Sequence, residues 1–159
     1  AKIRLKEAKQ ISERIVTLKN DKFIVLGDFN SFSPMDATWM EHKSGLKVKY
    51  ANVKNKKYSN LRMGEFDYSV IAEFLAIPTF DVALNRTNLH LAHSFPSPVL
   101  IGKYENTPQS IVNNRVRIDL ILTSPVLSKK CLRAEVINTG ITDFLSDHYP
   151  VIAEFDLSF

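Results

Sequence analysis

Apolar residues recur near the start of the chain at spacings of three to five, at Ile3, Ala8, Ile11, Ile15 and Leu18, with Lys, Glu and Arg between them. That period describes one face of an amphipathic helix, predicted over residues 2–19. No Ser, Thr, Asp or Asn precedes it, so the helix opens without a side-chain cap, as expected of a chain cut from something longer. Phe23-Ile24-Val25-Leu26 is then an unbroken apolar run. It predicts a short strand buried on both faces, central in an α/β layer. Ser33-Pro34-Met35-Asp36 opens a second helix, with Ser33 as cap, Pro34 at the first position, Asp36 in the first turn and Gly45 as the stop. Asp67 caps a further helix that carries Val70, Phe74 and Ile77 on one side and ends at Pro78. Residues 79–98 read as loop. Alternation then takes over: Val116, Ile118, Leu120 and Leu122, next Leu132, Ala134 and Val136, last Val151, Ala153, Phe155 and Leu157. The final third is therefore expected to be strand throughout.

With 159 residues and 45% hydrophobic content, the chain can build one ordinary core. No apolar run approaches the roughly 18 residues of a membrane span, and no signal-type apolar stretch is present at the start, so localisation stays open. Cys131, the single cysteine, has no partner for an internal disulfide and reads as a small buried residue. The net charge of +4 is uneven: residues 43–64 hold six Lys and one Arg with no acid, interleaved with Tyr50 and Tyr58. A solvated loop is the plainer reading, and a contact for a phosphate backbone or an anionic lipid surface the sharper one. His90 and His93 stand three apart but lack a third ligand at a recognisable spacing, and Leu91 between them suggests a strand-like stretch.

Three polar clusters sit at strand boundaries: Gly27-Asp28-Phe29-Asn30, Arg117-Ile118-Asp119 and Ser146-Asp147-His148-Tyr149-Pro150. Phosphate ester hydrolysis needs an activated water, charge stabilisation on the phosphoryl oxygens and help for the leaving oxygen. Asp28 follows the end of a buried strand, where ligands gather in α/β sheets. Asp147 and His148 precede the last strand, and they share an edge with Asp28 if that strand runs antiparallel to the first. Each cluster also has a plain reading. Gly-Asp is a common turn, and a mid-strand Asp119 needs a partner in any fold, with Arg117 two residues away on the same face. Phe32, Trp39 and Phe95 either wall the site or pack in the core.

In order and flanks the three clusters resemble the last three motifs of the endonuclease/exonuclease/phosphatase superfamily, which are metal-dependent phosphoesterases. The resemblance implies an α/β fold, part of a DNase I-like four-layer α/β sandwich with a mixed, mostly antiparallel sheet and flanking helices. Residues 1–159 would form the C-terminal portion of a single such domain. The family's earlier motifs, an Asn after the first strand and a metal-binding Glu, have no counterpart here. By resemblance, Asp28 aligns or deprotonates the attacking water, Asn30 donates to the scissile phosphate and His148 contacts a phosphoryl oxygen. Asp119 would fix the other ring nitrogen of His148, and Asp147, with Asp28, would hold Mg²⁺ or Mn²⁺. The implied substrate is a phosphate ester: nucleic acid, phospholipid or small phosphodiester. The implied partner is the upstream half of the same domain, or a second copy joined through an exposed sheet face. The Trp- and Arg-bearing middle motifs of inositol phosphatases are absent, and abasic-site enzymes have a shorter middle section. The insert at 43–76 looks more like that of uncharacterised bacterial hydrolases of the family. The rival is a non-catalytic binding module on the same fold.

Overall fold

The alternating run after Val116 forms the central strand of the molecule, buried on both faces. In the computed structural model, which describes residues 2–18, 21–53, 59–84 and 91–158, β5 (Asp119–Thr123) lies between β1 (Ile24–Asp28) and β4 (Phe80–Asp81), antiparallel to both. Leu120 and Leu122 point to one side. There they meet α1 (Lys2–Leu18) and α4 (Ser69–Ala76) in a core of Ala8, Val70, Ile71 and Phe74. Ile121 points to the other side and packs with Val82, Ala83, Cys131 and Ala134, against β6 (Cys131–Val136) and β7 (Val151–Phe155). These last two strands pair antiparallel as a second sheet. A third small sheet pairs β2 (Leu61–Arg62) with β3 (Glu65–Phe66). The result is mixed α/β with small sheets whose named ladders, among the described residues, are all antiparallel. The motifs implied a mixed, mostly antiparallel sheet, and the described strands form small antiparallel ones instead.

The apolar run at Phe23–Leu26 is a strand, but an edge one. β1 pairs with β5 on one side alone, so Leu26 is 66% exposed while Val25 packs in the core. The expected stripe on α1 is shifted as well. Leu5, Ala8 and Ser12 face inward, whereas Ile11 and Leu18 stay exposed. Ile11 and Leu26 line the same open groove, about 330 Å³, between α1 and the outer edge of β1.

Ser33 caps the chain as expected, its hydroxyl accepting from the Met35 amide, with Pro34 opening a 3₁₀ turn over Pro34–Asp36 that runs into α2 (Ala37–Glu41). Gly45 does not stop the helix. It sits in the first turn of α3 (Ser44–Ala51), which replaces much of the expected basic loop. Leu46 and Tyr50 of α3 pack into a cluster with Phe32, Met40 and Phe66, and Phe32 meets Tyr50 and Phe66 edge-on at 5.4 and 5.3 Å. Tertiary burial of that face overrides the weak local signals. The lysines of this segment find partners from elsewhere: Lys47 pairs with Glu65, Lys49 with the buried Glu105, and Lys43 lies 4.3 Å over the Trp39 ring. Lys54, Lys56, Lys57 and Tyr58 of the basic run lie outside the described residues, as does His90.

Two helices interrupt the expected all-strand final third, α5 (Pro108–Asn114) and α6 (Pro125–Lys130). Each opens on the chemistry already seen at Ser33-Pro34. Thr107 before Pro108 forms a capping box with Ser110, and Ser124 before Pro125 accepts from the Leu127 amide.

Candidate functional site

Asp28 and Asp119 are cross-strand partners at the end of the β1–β5 ladder. Residues directly opposite each other in an antiparallel pair stand on one face about 4.5–5.5 Å apart, and like charges there repel. Gly27, just before Asp28, has φ +140°, a conformation closed to other residues, although a Cβ there would meet nothing within 4 Å. Glycine is required here by the backbone rather than by space. Beyond the strand, the Asn30 amide donates to Asp28 Oδ1 at 2.7 Å and Asn30 Nδ2 donates to Asp28 Oδ2 at 2.9 Å. This closed turn puts Asn30 at φ +47°, a region that asparagine tolerates. The Phe29 amide donates to the Ile118 carbonyl at 2.9 Å, which ties the turn to β5.

His148 arrives from the loop before β7. Its Nδ1 lies 2.8 Å from Asp119 Oδ2, and its ring packs against Phe95 with centroids 4.8 Å apart. The hydrogen bond to Asp119 raises the imidazole pKa above its ordinary value, against the lowering effect of partial burial. The negative charges of Asp119, Asp28 and Asp147 add to the rise. In an NMR titration, His148 is expected to keep its proton to higher pH than an ordinary histidine, and Asp119→Asn to bring it down. The stability this pair contributes is full below the unfolded histidine pKa and is lost as pH rises through the folded one. A His148 titrating at or below an ordinary value would contradict the observed pairing.

Asp28, Asp119 and His148 each offer a ligand atom, and these atoms lie within 4.8 Å of one another. Two facing carboxylates with an imidazole beside them call for positive charge, and exposed acid oxygens suit a hard cation such as Mg²⁺ or Mn²⁺. The two carboxylates of this group therefore fit a divalent ion. Asp147 is exposed beside His148, with its carboxylate accepting from the Ser146 hydroxyl at 3.2 Å, and it is not part of that three-residue group.

Arg117 does not neutralise Asp119. It is 2% exposed and binds Asp36 at 2.9 Å and, from its other nitrogen, Asp81. This leaves Asp119 to His148. Of the three aromatic residues considered as a wall, Phe95 touches the site, while Phe32 is core and Trp39 packs beside it under Lys43. His93 is buried, with its ring near Tyr149 and the Asn138 amide. Sequence reasoning passed over Ser94 and Ser97, which hold the backbone around Asp119 and His148. Their stretch carries no periodicity, and two serines around a proline read as a turn.

No family model matches the sequence, and no curated protein does. The structure matches that of an AP endonuclease from Archaeoglobus fulgidus, with a TM-score of 0.66 and 18% identity over 96% of this chain and 53% of that one. The chain thus shares part of the fold of that AP endonuclease and spans about half of that protein's length.

Proposed function

We propose that this chain carries the phosphate-handling half of a metal-dependent phosphoesterase. The observation that carries the reading is the meeting of all three sequence motifs at one edge, where Asp28 and Asp119 face each other and His148 bonds to Asp119. His148 presents its remaining ring nitrogen to a phosphoryl oxygen as a charged donor, since Asp119 holds the imidazolium in place. Asp28, oriented by Asn30, accepts the proton of the attacking water, and the second N–H of the Asn30 amide serves the phosphate. Asp28 and Asp147 would hold Mg²⁺ or Mn²⁺, which when bound supplies Lewis-acid stabilisation of the developing negative charge.

The reading includes incompleteness. The chain covers 53% of the matched structure, and two carboxylate ligands hold Mg²⁺ only loosely. On this reading the chain is the C-terminal portion of a sandwich, and Leu26 of β1 and Ile152 of β7, which line one open groove, offer the rest of it an exposed apolar face. The chain alone is expected to hydrolyse phosphodiesters such as bis(p-nitrophenyl) phosphate or abasic DNA slowly or not at all in Mg²⁺. Adding the polypeptide that completes the sandwich is expected to bring metal-dependent turnover. Fast turnover by the chain alone, or none in the completed protein, would overturn the reading.

That face also predicts association. Leaving several hundred Å² of apolar surface in water forgoes several kcal/mol at about 25 cal/mol per Å². In light scattering the purified chain is expected to self-associate or to carry a second polypeptide, and Leu26→Asp to weaken the association. A monodisperse monomer of 18.1 kDa would contradict it.

A further inference from the structure

Asp119 and His148 are 29 residues apart and belong to segments of two different sheets, so no strand ladder maintains their 2.8 Å hydrogen bond. A pair of this kind keeps its geometry only if the backbone on each side is fixed to a common support. Segment 93–97 is that support. Ser94 is fully buried. Its hydroxyl oxygen accepts the amides of Ile118 and Asp119, each at 3.1 Å. Its own amide donates to the Val116 carbonyl at 3.0 Å, and its carbonyl accepts the Tyr149 amide at 2.7 Å. One residue therefore holds the backbone of Asp119 on one side and the neighbour of His148 on the other. Ser97 extends the support: its amide donates to the Asp147 carbonyl at 3.0 Å, and its hydroxyl donates to the Ser146 carbonyl. Between the two serines, Phe95 exchanges backbone hydrogen bonds with Val116 and lays its ring on His148.

We propose that Ser94 is a positioning residue, a buried clamp that sets Asp119 and His148 at hydrogen-bonding distance, with Ser97 and Phe95 bracing the His148 side. Serine suits the task because one hydroxyl oxygen has two lone pairs and serves two amides at once. Alanine at 94 leaves both amides buried without an acceptor, and β5 is free to shift relative to the loop before β7. The importance of the pair rests on the proposed phosphoesterase reading, but the clamp itself can be tested without any activity.

The test is proton and nitrogen NMR of the 159-residue chain, following the His148 Nδ1–H resonance and the exchange of the Ile118, Asp119 and Tyr149 amides. In wild-type protein, Nδ1–H is expected far downfield and protected by Asp119. Ser94→Ala is expected to lose that resonance to exchange with water and to speed exchange at Asp119 and Tyr149 about tenfold, the size of one lost hydrogen bond. Ser12→Ala is the control, since Ser12 is equally buried in α1 with no hydrogen-bond partner for its hydroxyl, and it should change neither readout. Retention of a protected Nδ1–H in folded Ser94→Ala would overturn the proposal. If Ser94→Ala does not fold, Ser97→Ala decides: broadening of the same resonance supports the clamp, and an unchanged resonance overturns it. Failure of the phosphoesterase reading would show in turnover assays and leave these spectra as they are.

Discussion

Arg117→Met is expected to destabilise the folded chain by about 3–5 kcal/mol, the usual penalty for removing one partner from a buried ion pair. Among the described residues Arg117 is the sole cation of a buried cluster in which its guanidinium binds Asp36 through two nitrogens, at 2.9 and 3.2 Å, and Asp81 through the third. Methionine fills much of the space but leaves two carboxylates facing each other out of water. Burial already pushes the Asp36 carboxyl up to about 6, with Arg117 holding it down and Asp81 adding to the rise. An acid with a raised folded pKa binds its proton more tightly when folded. Its burial is therefore harmless below the unfolded value of 3.8 and increasingly costly as pH rises through the folded one. The loss in Arg117→Met should accordingly be larger at pH 8 than at pH 5, measured by urea denaturation at both. Combining it with Asp36→Asn and Asp81→Asn should recover most of the stability, because the buried charges are then gone together. A loss below about 1 kcal/mol at pH 8 would show that water reaches the cluster.

The second large effect follows from the proposed phosphoesterase reading and concerns the completed protein. His148→Ala is expected to lower turnover by about 10²–10³, the loss typical of removing one preorganised donor to developing charge. The fall should lie in kcat more than in KM, since the contact strengthens as charge builds in the transition state. Asp119→Asn keeps the shape of the acid but removes the charge that stabilises the imidazolium. It should lower the rate and move the alkaline limb of the pH profile to lower pH, because His148 then loses its proton sooner. Equal rates for wild type and His148→Ala would remove His148 from the chemistry.

The candidate site was more legible in the sequence than the fold around it. Asp28 and Asn30 follow an apolar run, Asp119 interrupts one and His148 precedes one, and polar residues at such places are informative without any knowledge of packing. What could not be read locally was which strand would be central. The run Phe23–Leu26 is apolar throughout, yet the strand β1 that it opens lies at an edge, because burial depends on which neighbours a strand finds. β5 alternates in the sequence yet is buried on both faces, with Arg117 just before it satisfied by two distant acids. The same limit hid α3, which forms because Leu46 and Tyr50 meet Phe32 and Phe66 from elsewhere in the chain. Helices α5 and α6 were legible but overlooked: Thr107-Pro108 and Ser124-Pro125 carry the same signal that placed the helix at Ser33-Pro34. Ser94 had no local signal at all, since its role exists only through Ile118, Asp119 and Tyr149.

On the proposed reading, residues from three separate motifs form one metal-assisted phosphate site. Titrating the ¹⁵N-labelled chain with Mn²⁺ tests it most directly, because the ion broadens resonances near where it binds. The account predicts that amides of Asp28, Asn30, Asp119, Asp147 and His148 broaden first, at millimolar Mn²⁺, and recover with excess Mg²⁺. It also predicts that Asp28→Asn removes the effect. Broadening elsewhere, with these five residues unaffected, would contradict it.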